Sequence, residues 1–172
     1  MTTMLTIQIQ KAERLAAITQ KVGFTLWQLQ ELEGATAVYF VLVAQARRGM
    51  GATEGNALIE NAQSQTFGKT VSQLGRAGLL KPDIQQRFGN LLKERNWLVH
   101  NSRDSSRDAV HDDLVMRRLL VRLESMVEES SALLKELGAL AETCARQHGV
   151  SEQEIAERTK RLLQAWQTSD AS

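Results

Sequence analysis

The stretch from Ile84 to Asn101, IQQRFGNLLKERNWLVHN, constrains the chain more than any other. Phe88, Leu91, Leu92, Leu98 and Val99 recur at three- and four-residue steps, which specifies one amphipathic helix with a single buried face. Arg95 falls inside that apolar stripe, one turn after Leu91 and Leu92 and one turn before Leu98 and Val99. A guanidinium left unpaired in a core costs on the order of 3–5 kcal/mol, so Arg95 needs a carboxylate, a phosphate or an open cleft. Five positions on stands His100, the side-chain type that exchanges a proton near neutral pH.

On an ideal helix Arg95 and His100 lie roughly 140° apart, whereas Asn96 and His100 are an i, i+4 pair on one face. Three arrangements bring Arg95 to His100: a long side chain reaching around, a last turn that unwinds, or two copies of the helix that each supply part of a site. The bland alternative pairs Arg95 with an acid from another helix and leaves His100 as a cation at the helix C-terminus, where the dipole favours it.

The segment Arg95-Asn96-Trp97-Leu98-Val99-His100 is similar to the signature of the HEPN superfamily, an arginine and a histidine separated by four to six residues, commonly with a polar residue after the arginine. The resemblance extends in outline to most of the chain. It implies an all-α, single-domain helical bundle with long C-terminal helices. It also implies a homodimer and a metal-independent endoribonuclease of toxin–antitoxin or phage-defence type. His100 is then general base or acid on the RNA 2′-hydroxyl or the leaving oxygen. Arg95 stabilises charge on the phosphoryl oxygens, and Asn96 orients His100 or donates to the phosphate. The products are 2′,3′-cyclic phosphate and 5′-hydroxyl ends, and no cofactor or metal is called for. RNA and a cognate antitoxin protein are the implied partners. A catalytically silent HEPN-like domain that binds RNA, a nucleotide or a protein is the alternative, and a plain helical adaptor is a third. Some members carry a tyrosine two residues after the histidine, which a nucleotidyltransferase partner modifies; Ser102 stands there instead.

The rest of the sequence agrees with helices. One proline, Pro82, and little β-branched alternation leave strands hard to find. Helices are expected over Ile9–Val22, ended or kinked by Gly23, and over Thr25–Arg48, broken by Gly49-Met50-Gly51. A short one follows over Glu54–Gln63 with Thr53 as cap, and another around Val71, Leu74 and Leu79, closed by Gly78 or Lys81-Pro82. Pro82 suits a first turn. Residues 101–106 read as a polar loop, with Ser105 and Asp108 as a capping box for a very long helix reaching about residue 147. After Gly149, Ser151 and Glu154 form a second capping box. It opens a last helix that buries Ile155, Leu162, Leu163 and Trp166. The domain core is expected over residues 8–147, with a capping helix over 151–168.

The net charge of +1 means any nucleic-acid contact comes from a local basic patch. Arg87, Lys93, Arg95, Arg103 and Arg107 gather around the motif, followed by Arg117, Arg118 and Arg122. They form either a solvated charged face or a groove that tracks phosphates to His100, with Arg103, Lys93 and Arg107 as RNA contacts and Trp97 stacking on a base. A Trp on a helix is, however, more often part of the core or of a dimer interface. A lone Cys144 and an apolar run, Ala35–Ala44, too short to span a bilayer fit a cytoplasmic protein without membrane contact. Gly68-Lys69-Thr70 is not a P-loop: Gln63 stands where a glycine is required and no strand precedes it. His111-Asp112 and the pair Cys144 and His148 lack the further ligands a metal site needs.

Overall fold

The computed structural model describes residues 2–169, with the side chains of residues 4–161, 163 and 164. Six helices make up the described chain: α1 Thr2–Ala44, α2 Ala52–Gln63, α3 Phe67–Arg76, α4 Pro82–His111, α5 Asp113–Gln147 and α6 Glu152–Ser169. They form an all-α bundle, with no strand among the described residues.

Side-chain pairs along the helices fix their directions. α1 and α5 run parallel: Arg14 pairs with Asp113, Lys21 with Glu124 at 3.5 Å, and Gln28 donates to Ser131 at 3.1 Å. α4 runs antiparallel to both, because Glu94 meets Arg122 and Arg87 meets Glu129, while Arg95 meets Glu33. The core between these three helices is Ile18, Leu29, Leu32, Phe40, Phe88, Leu91, Leu98, Leu119, Leu123, Met126 and Leu133. α2 folds back along the second half of α1. α3 then crosses between α1 and α4, with the Phe67 and Phe88 rings edge to face at 5.9 Å.

Two expected breaks are absent. Gly23 lies inside α1, which is continuous for 43 residues. A glycine costs a helix roughly 1 kcal/mol relative to alanine. Ile18, Val22, Thr25, Leu29 and Leu32 keep one buried phase across it, and that burial outweighs the cost. The expected loop at 101–106 is helical too, as part of α4. Its hydropathy is misleading because the inward positions are small polar residues. Ser102, Ser105 and Ser106 are half-buried and continue the phase of Leu98 to the buried Ala109, and the Ser106 hydroxyl donates to the Ser102 carbonyl at 2.6 Å. The break comes instead at Asp112. Its carboxylate accepts from the backbone N–H groups of Leu114 and Val115 at 2.7 and 3.0 Å, capping α5 in place of the expected Ser105 box. His111 is therefore the last residue of α4.

Other boundaries fall where expected. Pro82 occupies the first turn of α4, and Gly78 and Gly149 close α3 and α5 with φ of +66° and +86°. Ser151 and Glu154 make their reciprocal capping box, at 2.8 Å for Ser151 N–H and 3.2 Å for Glu154 N–H. α2 is entered at Gly51 with no side-chain cap, so Thr53 does not serve there. In α6, Ile155 is half-buried and Leu163 is exposed, not buried as expected; the expected burial of Leu162 and Trp166 lies outside the described side chains. No helix among the described residues is long and apolar enough to cross a membrane.

Candidate nucleic-acid interface on α4

Because α4 is helical without interruption from Pro82 to His111, the turn between Arg95 and His100 does not unwind. The two side chains leave the helix in different directions, and the structure resolves the neighbourhood into a cleft and an open face.

Arg95 points towards α1 and α3. Its guanidinium lies 3.7 Å from the Glu33 carboxylate, beyond hydrogen-bond distance, and about a third of each side chain is exposed (34% and 28%). The other Glu33 oxygen accepts the backbone N–H of Phe67 at 3.0 Å, satisfying a donor at the start of α3. These residues line a cleft of about 420 Å³ together with Ser64, Thr66, Gly68, Leu92 and Asn96. A loose, partly solvated ion pair contributes under about 1 kcal/mol, so holding the fold together is a small part of what Arg95 can do. Glu33 was not singled out from sequence, yet it carries the signal that flagged Arg95. It is a charge in phase with Leu29, Thr36 and Phe40 on the buried side of its helix.

His100 stands on open surface with its neighbours one and two turns away. At about 100° per residue, Lys93, Asn96, His100, Arg103 and Arg107 fall within an arc of roughly 80°, along roughly 21 Å of helix. All five are exposed, and among the described residues neither Lys93, Arg103 nor Arg107 has a salt bridge. Asp104 stands at the edge of this stripe. Asn96 belongs to both parts: it lines the Arg95 cleft and shares a helix face with His100.

Arg87 and Arg122 of the basic cluster behave differently. Arg87 is held by both oxygens of Glu129, at 2.6 and 3.1 Å, and by Glu136 at 2.8 Å. The bonds from Glu129, then Glu136, hold its pKa above the usual arginine value against the opposing effect of burial. Arg122 makes a two-pronged contact with Glu94 at 2.7 and 3.2 Å and lies 3.4 Å over the Trp97 ring. That face of Trp97 is covered, and the ring packs partly against the core, so base stacking is left at most its other face. Arg87, Glu94, Arg122 and Glu129, with Arg117, Arg118, Val121 and Met126, line the α4–α5 groove of about 740 Å³.

Cys144 and His148 touch at 3.7 Å, with His148 Nδ1 2.8 Å from the Cys144 carbonyl oxygen. No group of three or more His, Cys, Asp or Glu side chains is arranged to hold a metal among the described residues. Comparisons of the chain with protein-family models, curated proteins and solved structures return no match.

Proposed function

We propose that the chain acts on RNA as a metal-independent endoribonuclease of the HEPN kind. The supporting observation is the outer face of α4, where Asn96 and His100 stand in line with three cations that the fold does not neutralise. Lys93, Arg103 and Arg107 engage successive phosphates of a single strand. His100 exchanges the proton of the 2′-hydroxyl or the departing 5′-oxygen, and Asn96 orients the phosphate beside it. The 2′-oxygen then attacks phosphorus and expels the 5′-oxygen, giving a 2′,3′-cyclic phosphate and a 5′-hydroxyl. One histidine can serve only one end of this transfer at a time, so two α4 faces from a homodimer make the more complete centre. The Arg95–Glu33 pair favours a second reading, an RNA-binding HEPN-like module or adaptor without turnover, in which Arg95 is tied up by the fold. Antitoxin binding and a cytoplasmic setting belong to the same proposal.

The test is cleavage of end-labelled RNA in EDTA by wild type and by His100→Ala, each checked for helical content. Wild type cleaves to cyclic-phosphate ends, and His100→Ala loses about 10²–10⁴-fold in rate while its circular dichroism stays unchanged. Binding without cleavage by folded wild type moves the assignment to the module.

A further inference from the structure

We infer that Glu33 is a latch that withholds Arg95 from RNA until a phosphate competes for it. The inference rests on the RNA reading of the α4 face. Glu33 divides its carboxylate between two jobs: one oxygen accepts Phe67 N–H at 3.0 Å, and the other faces the Arg95 guanidinium at 3.7 Å. The first contact fixes the acid against the start of α3. The second is purely ionic and too long for a hydrogen bond, so it is easily exchanged. Arg95 therefore sits inside the cleft while its neighbour Asn96 is on the lip, on the same face as His100. A strand following Lys93, His100, Arg103 and Arg107 passes that lip. A phosphate at Asn96 offers Arg95 a second anion, one able to accept a two-pronged donor. Glu33 thus sets how much of the Arg95 charge the RNA receives. It acts through Arg95 as a positioning residue and has no contact with substrate.

Glu33→Gln separates the two jobs, since the amide oxygen still accepts Phe67 N–H but exerts no net charge on Arg95. The probe is a fluorescein-labelled single-stranded 12-nucleotide oligouridylate, whose affinity is titrated from 50 to 200 mM salt. Freeing one cation for one more phosphate steepens the slope of log affinity against log salt by about 0.7, an extra loss of about 2.5-fold across that range. Glu33→Gln binds more tightly at 50 mM with the steeper slope, and adding Arg95→Gln abolishes both changes. A merely structural Glu33 lowers stability without moving the slope. An unchanged slope in Glu33→Gln, with wild type binding the RNA normally, overturns the latch and leaves the RNA reading standing. A gain that persists in the double variant also overturns it, because the gain then bypasses Arg95. Failure of folded wild type to bind the oligouridylate overturns the RNA reading, and the latch with it.

Discussion

Two sets of cations flank α4 and differ in what the fold has done with them. On the α5 side, Arg87 and Arg122 are each gripped by carboxylates at hydrogen-bond distance. On the outer face, Lys93, Arg103 and Arg107 project into solvent and have no ion pair among the described residues. The seam residues are structural because their charge is consumed locally: Glu94 and Glu129 sit where two antiparallel helices put them within reach. The outer residues keep their charge, and in a chain of net charge +1 they align three cations along one helix face. Counting basic residues cannot separate the two sets. Their partners do.

The largest stability effect is expected at the seam. Arg87→Ala leaves Glu129 and Glu136 facing each other unneutralised, with one Glu136 oxygen already buried and lacking a hydrogen-bond partner. Breaking a fully buried pair costs 3–5 kcal/mol; with about a third of these side chains exposed, a loss of about 2 kcal/mol in urea unfolding is expected, with RNA affinity unaltered. The outer face responds the opposite way. Replacing Lys93, Arg103 and Arg107 together by Gln changes stability by less than about 0.5 kcal/mol. It flattens the salt slope of RNA binding by about 2, at roughly 0.7 per phosphate contact. A triple variant that unfolds early yet binds RNA like wild type would break the comparison. Arg122→Lys sharpens it. Lysine keeps a charge for Glu94 but loses the planar fork and the stack on Trp97, so a loss of about 1 kcal/mol without change in RNA affinity is expected.

These distinctions mark how far the sequence could be read. The helical class, the Pro82 start, the Gly149 stop and the Ser151–Glu154 box are local chemistry, decided within a few residues, and all are legible. The roughly 140° between Arg95 and His100 is legible too, since it follows from helix geometry alone. What a single strand of letters does not hold is the partner across a helix pair. Nothing near Arg87 in sequence announces Glu129 and Glu136, and nothing near Arg95 announces Glu33 or Phe67. The serines at 102, 105 and 106 mislead for a related reason. Their small size lets them face inward on a helix, while their polarity suggests a loop. Periodicity weighted by size rather than hydropathy would have carried α4 on to Ala109.

Asp112 offers the smallest and most specific test, at the joint between α4 and α5. Its carboxylate accepts from Val115 and Leu114 N–H, and those bonds hold its pKa below the ordinary aspartate value, with Arg118 and Arg14 assisting at longer range. A carboxylate depressed in the folded state stabilises the protein above the unfolded aspartate pKa, and the contribution disappears as pH falls through the folded value. The window is thus below about pH 4, where an unfolded aspartate begins to take up its proton. Asp112→Asn retains an oxygen acceptor for the cap and removes the titration. It is expected to fold normally at neutral pH and to lose less stability than wild type between about pH 4 and pH 2, read by chemical denaturation across that range. Asp112→Ala, which lacks any acceptor, is expected to be less stable than both at neutral pH. If Asn and Ala behave alike, the cap is not what ends α4 and starts α5. The break would then owe more to the extended backbone at Asp112 (φ −132°, ψ 123°) and to the Arg14–Asp113 pair beside it.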